Sequence, residues 1–154
     1  MRIKTALVLA FITSILAVNE AFPQQFKRYS QQLTNYQSNV DAPLTSKEHS
    51  QIVEAFGDQA QALVFDRPQR VKDLKHLLRN RIEIVEAPGG LKPCPSLSEV
   101  PLFDLYVPNL KRDSHFDPKT FNPLKYNFEF WSSSASMYKV DSTNYYIIIK
   151  AQHQ

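Results

Sequence analysis

Residues 137–151 read MYKVDSTNYYIIIKA, and the fold class turns on them. Met137–Val140 and Tyr145–Ala151 are two β-rich runs on either side of Asp141, Ser142, Thr143 and Asn144, all turn formers. Such a pair predicts a hairpin. Tyr145–Ile149 holds no charged or amide side chain to turn toward water. A run of that kind predicts a strand covered on both faces, hence interior to its sheet. As a bare edge it would invite aggregation. Upstream, Leu124, Tyr126, Phe128 and Phe130 alternate with Lys125, Asn127, Glu129 and Trp131, the period of a half-buried strand. The stretch 127–131, the run 137–140 and the run 144–150 together predict a C-terminal antiparallel meander. Leu102–Val107 lies between Pro101 and Pro108 and predicts a short strand at a sheet edge.

The part before these strands reads as helix. Thr45 and Glu48 have the spacing of a capping box, Ile52, Val53 and Phe56 follow on one helical face, and Gly57 suits the residue past the last turn. Ala60, Leu63 and Val64 continue with a further turn or two. Asp66 is placed to cap a second helix, Pro68 is tolerated in its first turn, and Val71, Leu74, Leu77 and Leu78 recur at helical spacing. From Arg81 the period drops to two, with Ile82 and Ile84 alternating with Arg81 and Glu83, so helix passes into strand near Asn80. Pro88, Gly89 and Gly90 end that strand. Helices first and strands after predict an α+β domain, with N-terminal helices packed on one face of a mostly antiparallel sheet.

The first residues, MRIKTALVLAFITSILAVNEAF, set a positive front at Arg2 and Lys4 before an uncharged apolar run, Ala6–Val18. That run is shorter than the ~20 residues a membrane-spanning helix needs. The pattern predicts a secretory signal peptide over 1–21, cleaved after Ala17 or Ala21. No later run is long enough to cross a membrane. Residues 22–43, rich in Gln, Asn and Ser, read as a flexible or loosely docked lead-in, and 44–154 as one α+β domain. The formal charge is +3, and loss of Arg2, Lys4 and Glu20 with the signal leaves +2, a mildly basic chain. Cys94 is the only cysteine, so no internal disulfide staples this domain.

Two patterns bear on chemistry. Arg67, Arg70, Lys72, Lys75, Arg79 and Arg81 stand against Asp73 alone, so the second helix predicts a cationic face, with Arg70, Lys75 and Arg79 placed to meet an anionic partner. For an exported chain that partner is a lipid head group or acidic glycan of the envelope, and nucleic acid is not expected. Asp113, His115 and Asp117 alternate and would project to one side of an extended segment, as metal ligands or a carboxylate–histidine general base. Ser132, Ser133, Ser134 and Ser136 lack the glycine-bounded turn that exposes a hydrolase serine. No metal site and no cofactor is assigned from these patterns.

The reading that asks for least is an exported, periplasmic or secreted, non-catalytic domain that binds a partner or ligand. One alternative is a small metal-dependent or general-base hydrolase using Asp113, His115 and Asp117. Another is an apolar ligand carrier whose pocket is lined by Phe56, Leu78, Phe128 and Ile148.

Overall fold

The computed structural model describes residues 38–152, and its sheet is built around Tyr145–Ile149. The predicted signal stretch 1–21 with both cleavage sites, and residues 22–37 of the lead-in, lie outside the described residues. The strands are β1 (Ile82–Glu86), β2 (Ser136–Lys139) and β3 (Tyr145–Ile149), in the order β1-β3-β2. Both pairings are antiparallel, with Ile149 opposite Ile82 on one side and Ser136 on the other. The central strand is therefore sheathed edge to edge, as its composition requires. Its faces are covered as well. Ile147 and Ile149 pack with Phe121, Tyr126 and Phe128, while Tyr146 and Ile148 pack with Met137 and half-buried Val85 and Leu91. Each fully buried isoleucine contributes about 1.5–3 kcal/mol by leaving water. The β2–β3 turn closes through Val140 N–H to Tyr145 O at 3.0 Å and Thr143 N–H to Val140 O at 3.2 Å. Ser142 takes the left-handed position of that turn, at φ 56°.

The α+β class and the antiparallel sheet stand, but the third strand of the sheet is β1 and not the stretch 127–131, so the strands do not follow one another as a meander. The reason is where the main chain of that stretch spends its hydrogen bonds. Pro123 opens a 3-10 turn, Pro123–Lys125, which the Asn122 side chain caps at Leu124 N–H. Asn127 N–H then donates to Pro101 O at 2.8 Å and Lys125 O accepts from Phe103 N–H at 2.7 Å. The resulting contact with 101–103 is one isolated bridge, Leu102 to Tyr126. Side-chain alternation survives without a ladder: Tyr126 and Phe128 are buried, Asn127 and Glu129 exposed. The expected edge strand over 102–107 reduces to that same bridge, and Leu105 is 69% exposed.

Among the described residues two α-helices precede the sheet, α1 (Ser46–Phe56) and α2 (Pro68–His76). The capping box of α1 is complete, with the Thr45 hydroxyl accepting from Glu48 N–H and the Glu48 carboxylate accepting from Thr45 N–H. Ile52, Ala55 and Phe56 turn inward, whereas Val53 is 42% exposed and does not share their face. Gly57 has φ +52°, and a Cβ there would stand 3.1 Å from Val107 Cγ2, so both conformation and space call for glycine. Pro68 begins α2, but Asp66 does not cap it; its carboxylate accepts from the Gln61 side chain at 2.6 Å instead. A widened π turn, Leu77–Arg81, carries α2 into β1, so the change of period near Asn80 is real. Ile52, Phe56, Val64, Leu74, Leu77 and Leu124 form the helical core, and half-buried Ile82 and Phe130 belong to both this core and that of the sheet. Among the described residues no helix is long and apolar enough to cross a membrane.

Ile148 tests the position of β3. Ile148→Ala is expected to lower stability by about 2–5 kcal/mol in urea unfolding. Val53→Ala, on the exposed side of α1, is expected to stay within about 0.5 kcal/mol.

Candidate functional site

The cations of α2 divide into two groups. Lys75 is buried and its ammonium donates to Ala42 O at 2.8 Å. Arg79 meets the Glu48 carboxylate at 2.7 Å through Nη2, and also donates to the carbonyls of Asn39 and Pro43. Asn80 and Asn39 exchange side-chain amide bonds at 2.7 and 3.1 Å. These contacts fasten residues 39–43, the end of the lead-in, onto α2 and the start of α1. The Arg79 hydrogen bond holds the Glu48 carboxyl below its ordinary value of 4.5, against the opposing effect of burial and with help from Thr45. Arg70 lies apart from this group, with its guanidinium carbon 5.7 Å from the centre of the Trp131 ring. The structure thus brings Lys75 and Arg79 together on the chain's own carbonyls and sends Arg70 elsewhere.

Because the folded-state value of Glu48 is depressed, its contribution is present above 4.5 and is lost as pH falls toward the folded-state value. Glu48→Gln is expected to cost about 1–3 kcal/mol at neutral pH, since it leaves a half-buried guanidinium short of its charge partner. The gap between the variant and the unaltered protein should close in acid, as read from urea unfolding across pH.

Asp113, His115 and Asp117 do not converge. Asp113 accepts from Lys125 at 2.6 Å, the His115 ring meets the neighbouring Ser114 hydroxyl at 3.2 Å, and Asp117 accepts from the main-chain N–H of Lys119 at 2.9 Å. Projection to one side requires an extended chain, and residues 114–120 turn and bend instead. No group of three His, Cys, Asp or Glu among the described residues is placed to hold a metal ion. Lys125 is buried between Asp113 and Glu54, the latter at 3.0 Å. Burial alone would pull its ammonium down, but the two carboxylates outweigh it and set the value above that of ordinary lysine. Asp113 is therefore a partner of a buried cation. Asp113→Ala is expected to cost about 1 kcal/mol in thermal or urea unfolding. His115→Ala, on an exposed side chain, should be neutral within about 0.5 kcal/mol.

The remaining candidates are also separated. Ser132 and Ser134 bond to each other at 3.0 Å, and His153 lies outside the described residues. Cys94 is half-buried, and burial pushes its thiol up, away from the reactive thiolate. Of the four residues expected to line one carrier pocket, only Phe56 and Phe128 do so. Leu78 faces a separate groove beside Ile82 and Phe121, and Ile148 packs on the opposite face of the sheet. The cause is alternation along β3: Phe128 packs with Ile147 and Ile149, and Ile148 between them points to the other face.

The cavity that Phe56 and Phe128 share has a volume of about 130 Å³ and lies between the helices and the chain 124–131. Phe56, Phe103, Tyr126, Phe128, Phe130 and Trp131 supply its aromatic wall, and Leu74, Leu77 and Leu124 its aliphatic part. Phe56 meets Phe103 edge-on at 5.9 Å, and Phe128 meets Phe130 edge-on at 5.7 Å. Among the lining residues Asn127 and Trp131 are exposed, and Arg70, Phe103 and Phe130 are half-buried. Trp131 is 52% exposed. Among the described residues no acidic side chain lines the cavity and Arg70 makes no ion pair. The cavity walls are mostly apolar, with one cationic side chain among them. A second hollow, lined by Arg112, Asp113 and Tyr126, differs in that its arginine is committed to the carbonyls of Leu97 and Val100. The sequence pattern places Phe56 and Phe128 in a carrier pocket but gives no sign of Phe130 there, and the nearness of Arg70 to Trp131 has no local signal. No protein-family model, no curated protein and no solved structure matches this chain.

Proposed function

We propose that the chain is an exported, non-catalytic binding domain and that its working part is the aromatic cavity beside Arg70 and Trp131. The observation that carries this reading is the cavity itself: six aromatic residues around about 130 Å³, with the cation in its lining free of any carboxylate among the described residues. The geometry of the other candidates adds support, since Asp113 is bound to Lys125 and Lys75 and Arg79 are bound to residues 39–43. Export rests on the signal-like stretch 1–21, which places the domain in the periplasm or outside the cell.

Trp131 is the sole tryptophan, so its emission reports on this site alone. Toluene, an uncharged single ring, is expected to shift Trp131 emission saturably and to raise the melting temperature, because a ligand that binds only the folded state stabilises it. Leu74→Phe narrows the cavity and should weaken toluene binding at least about tenfold, the counterpart of about 1.4 kcal/mol. An emission that toluene leaves unchanged, with an unmoved melting temperature, would overturn the reading.

A further inference from the structure

We infer that the ligand of this cavity is a monocyclic aromatic carboxylate, its ring among the phenylalanines and its carboxylate on Arg70. This rests on the cavity being the binding site, and three observations narrow the ligand class.

The first is size. The cavity measures about 130 Å³. An apolar protein cavity of about 150 Å³ holds benzene. One six-membered ring fits in such a space, and a long acyl chain or a fused polycycle does not.

The second is the wall. Phe56 and Phe103 meet edge-on, as do Phe128 and Phe130, so the lining offers both ring faces and ring edges. A flat aromatic guest gains from both contacts, beyond the area it buries.

The third is charge. Arg70 is half-buried, lies over Trp131 at 5.7 Å and has no carboxylate partner among the described residues. The stack on the indole holds the guanidinium at the cavity wall before any ligand arrives. Its planar fork of N–H donors matches the two oxygens of a carboxylate. With no acid in the lining, nothing there repels an anion. A ligand with a ring and a carboxylate one or two bonds apart meets both halves of the site at once.

Phenylacetate, phenylacetamide, toluene and acetate separate these contributions, with Trp131 emission as the readout. Phenylacetate should bind at least about tenfold tighter than phenylacetamide, which has the same shape without the charge. Acetate alone should leave the emission unchanged. Arg70→Gln should abolish the preference for phenylacetate over phenylacetamide, and Arg70→Lys, which keeps the charge but not the fork, should retain part of the preference. Equal affinity for phenylacetate and phenylacetamide, or a preference that survives Arg70→Gln, overturns the carboxylate assignment while toluene binding keeps the cavity as a site. Failure of toluene and phenylacetate alike removes the cavity reading and this assignment with it.

Discussion

Three parts of the chain meet at Arg81. Its main-chain carbonyl accepts from Lys150 N–H at 2.8 Å, and its guanidinium donates to Lys150 O at 2.9 Å and to Phe130 O. The residue is 1% exposed. A buried charge is tolerated only where acceptors replace the water it has lost, and carbonyl oxygens at the ends of other segments do so here. The π turn that delivers Arg81 is the link between α2 and β1, so one side chain ties the helical layer, the end of β3 and the aromatic chain 124–131 to a single point. That tie adds to the register that β1 takes from its ladder with β3 and holds the chain at Phe130 by its carbonyl.

The cavity follows from the same constraint. Phe130 packs into both cores because its carbonyl is held by Arg81. The chain then turns, with Ser132 N–H donating to Glu129 O at 3.2 Å, and Trp131 is left half-exposed beside Arg70. On the opposite wall Phe56 is fixed by the last turn of α1, and Phe103 by its N–H on Lys125 O. The aromatic side chains are thus placed by main-chain hydrogen bonds made outside the cavity, rather than by contact with one another alone.

The parts of this fold that were legible in sequence are those where local chemistry decides. The run Tyr145–Ile149 has no polar face, so it had to be covered on both sides. Thr45 and Glu48 satisfy each other's main chain within one turn, and Asp141–Asn144 holds turn formers where the strands reverse. What could not be read depends on partners distant in the chain. Alternation in 126–129 correctly reports which side chains are buried, while Lys125 is buried against it between Asp113 and Glu54; alternation belongs to any extended segment and does not say whether its N–H groups face a strand or the carbonyls of a loop. The charges of α2 look like an exposed stripe because the carbonyls of residues 39–43 that collect Lys75 and Arg79 leave no mark on composition. Arg70 and Trp131 are far apart in the chain and become neighbours only through the fold.

The cavity opens to solvent, so it is a cleft in the wall of the helical core and not a sealed void within it. Deeper in, Ile52, Val64 and Ile147 stand at 0% exposure. Filling the aromatic cavity would need only larger side chains on its aliphatic part, where Leu74, Leu77 and Leu124 stand. On the binding role proposed above, a space bounded by main-chain ties and lined by an arginine with no carboxylate partner among the described residues would let a guest ring recover contacts that the core leaves unmade, with walls already fixed and little ordering left to oppose it.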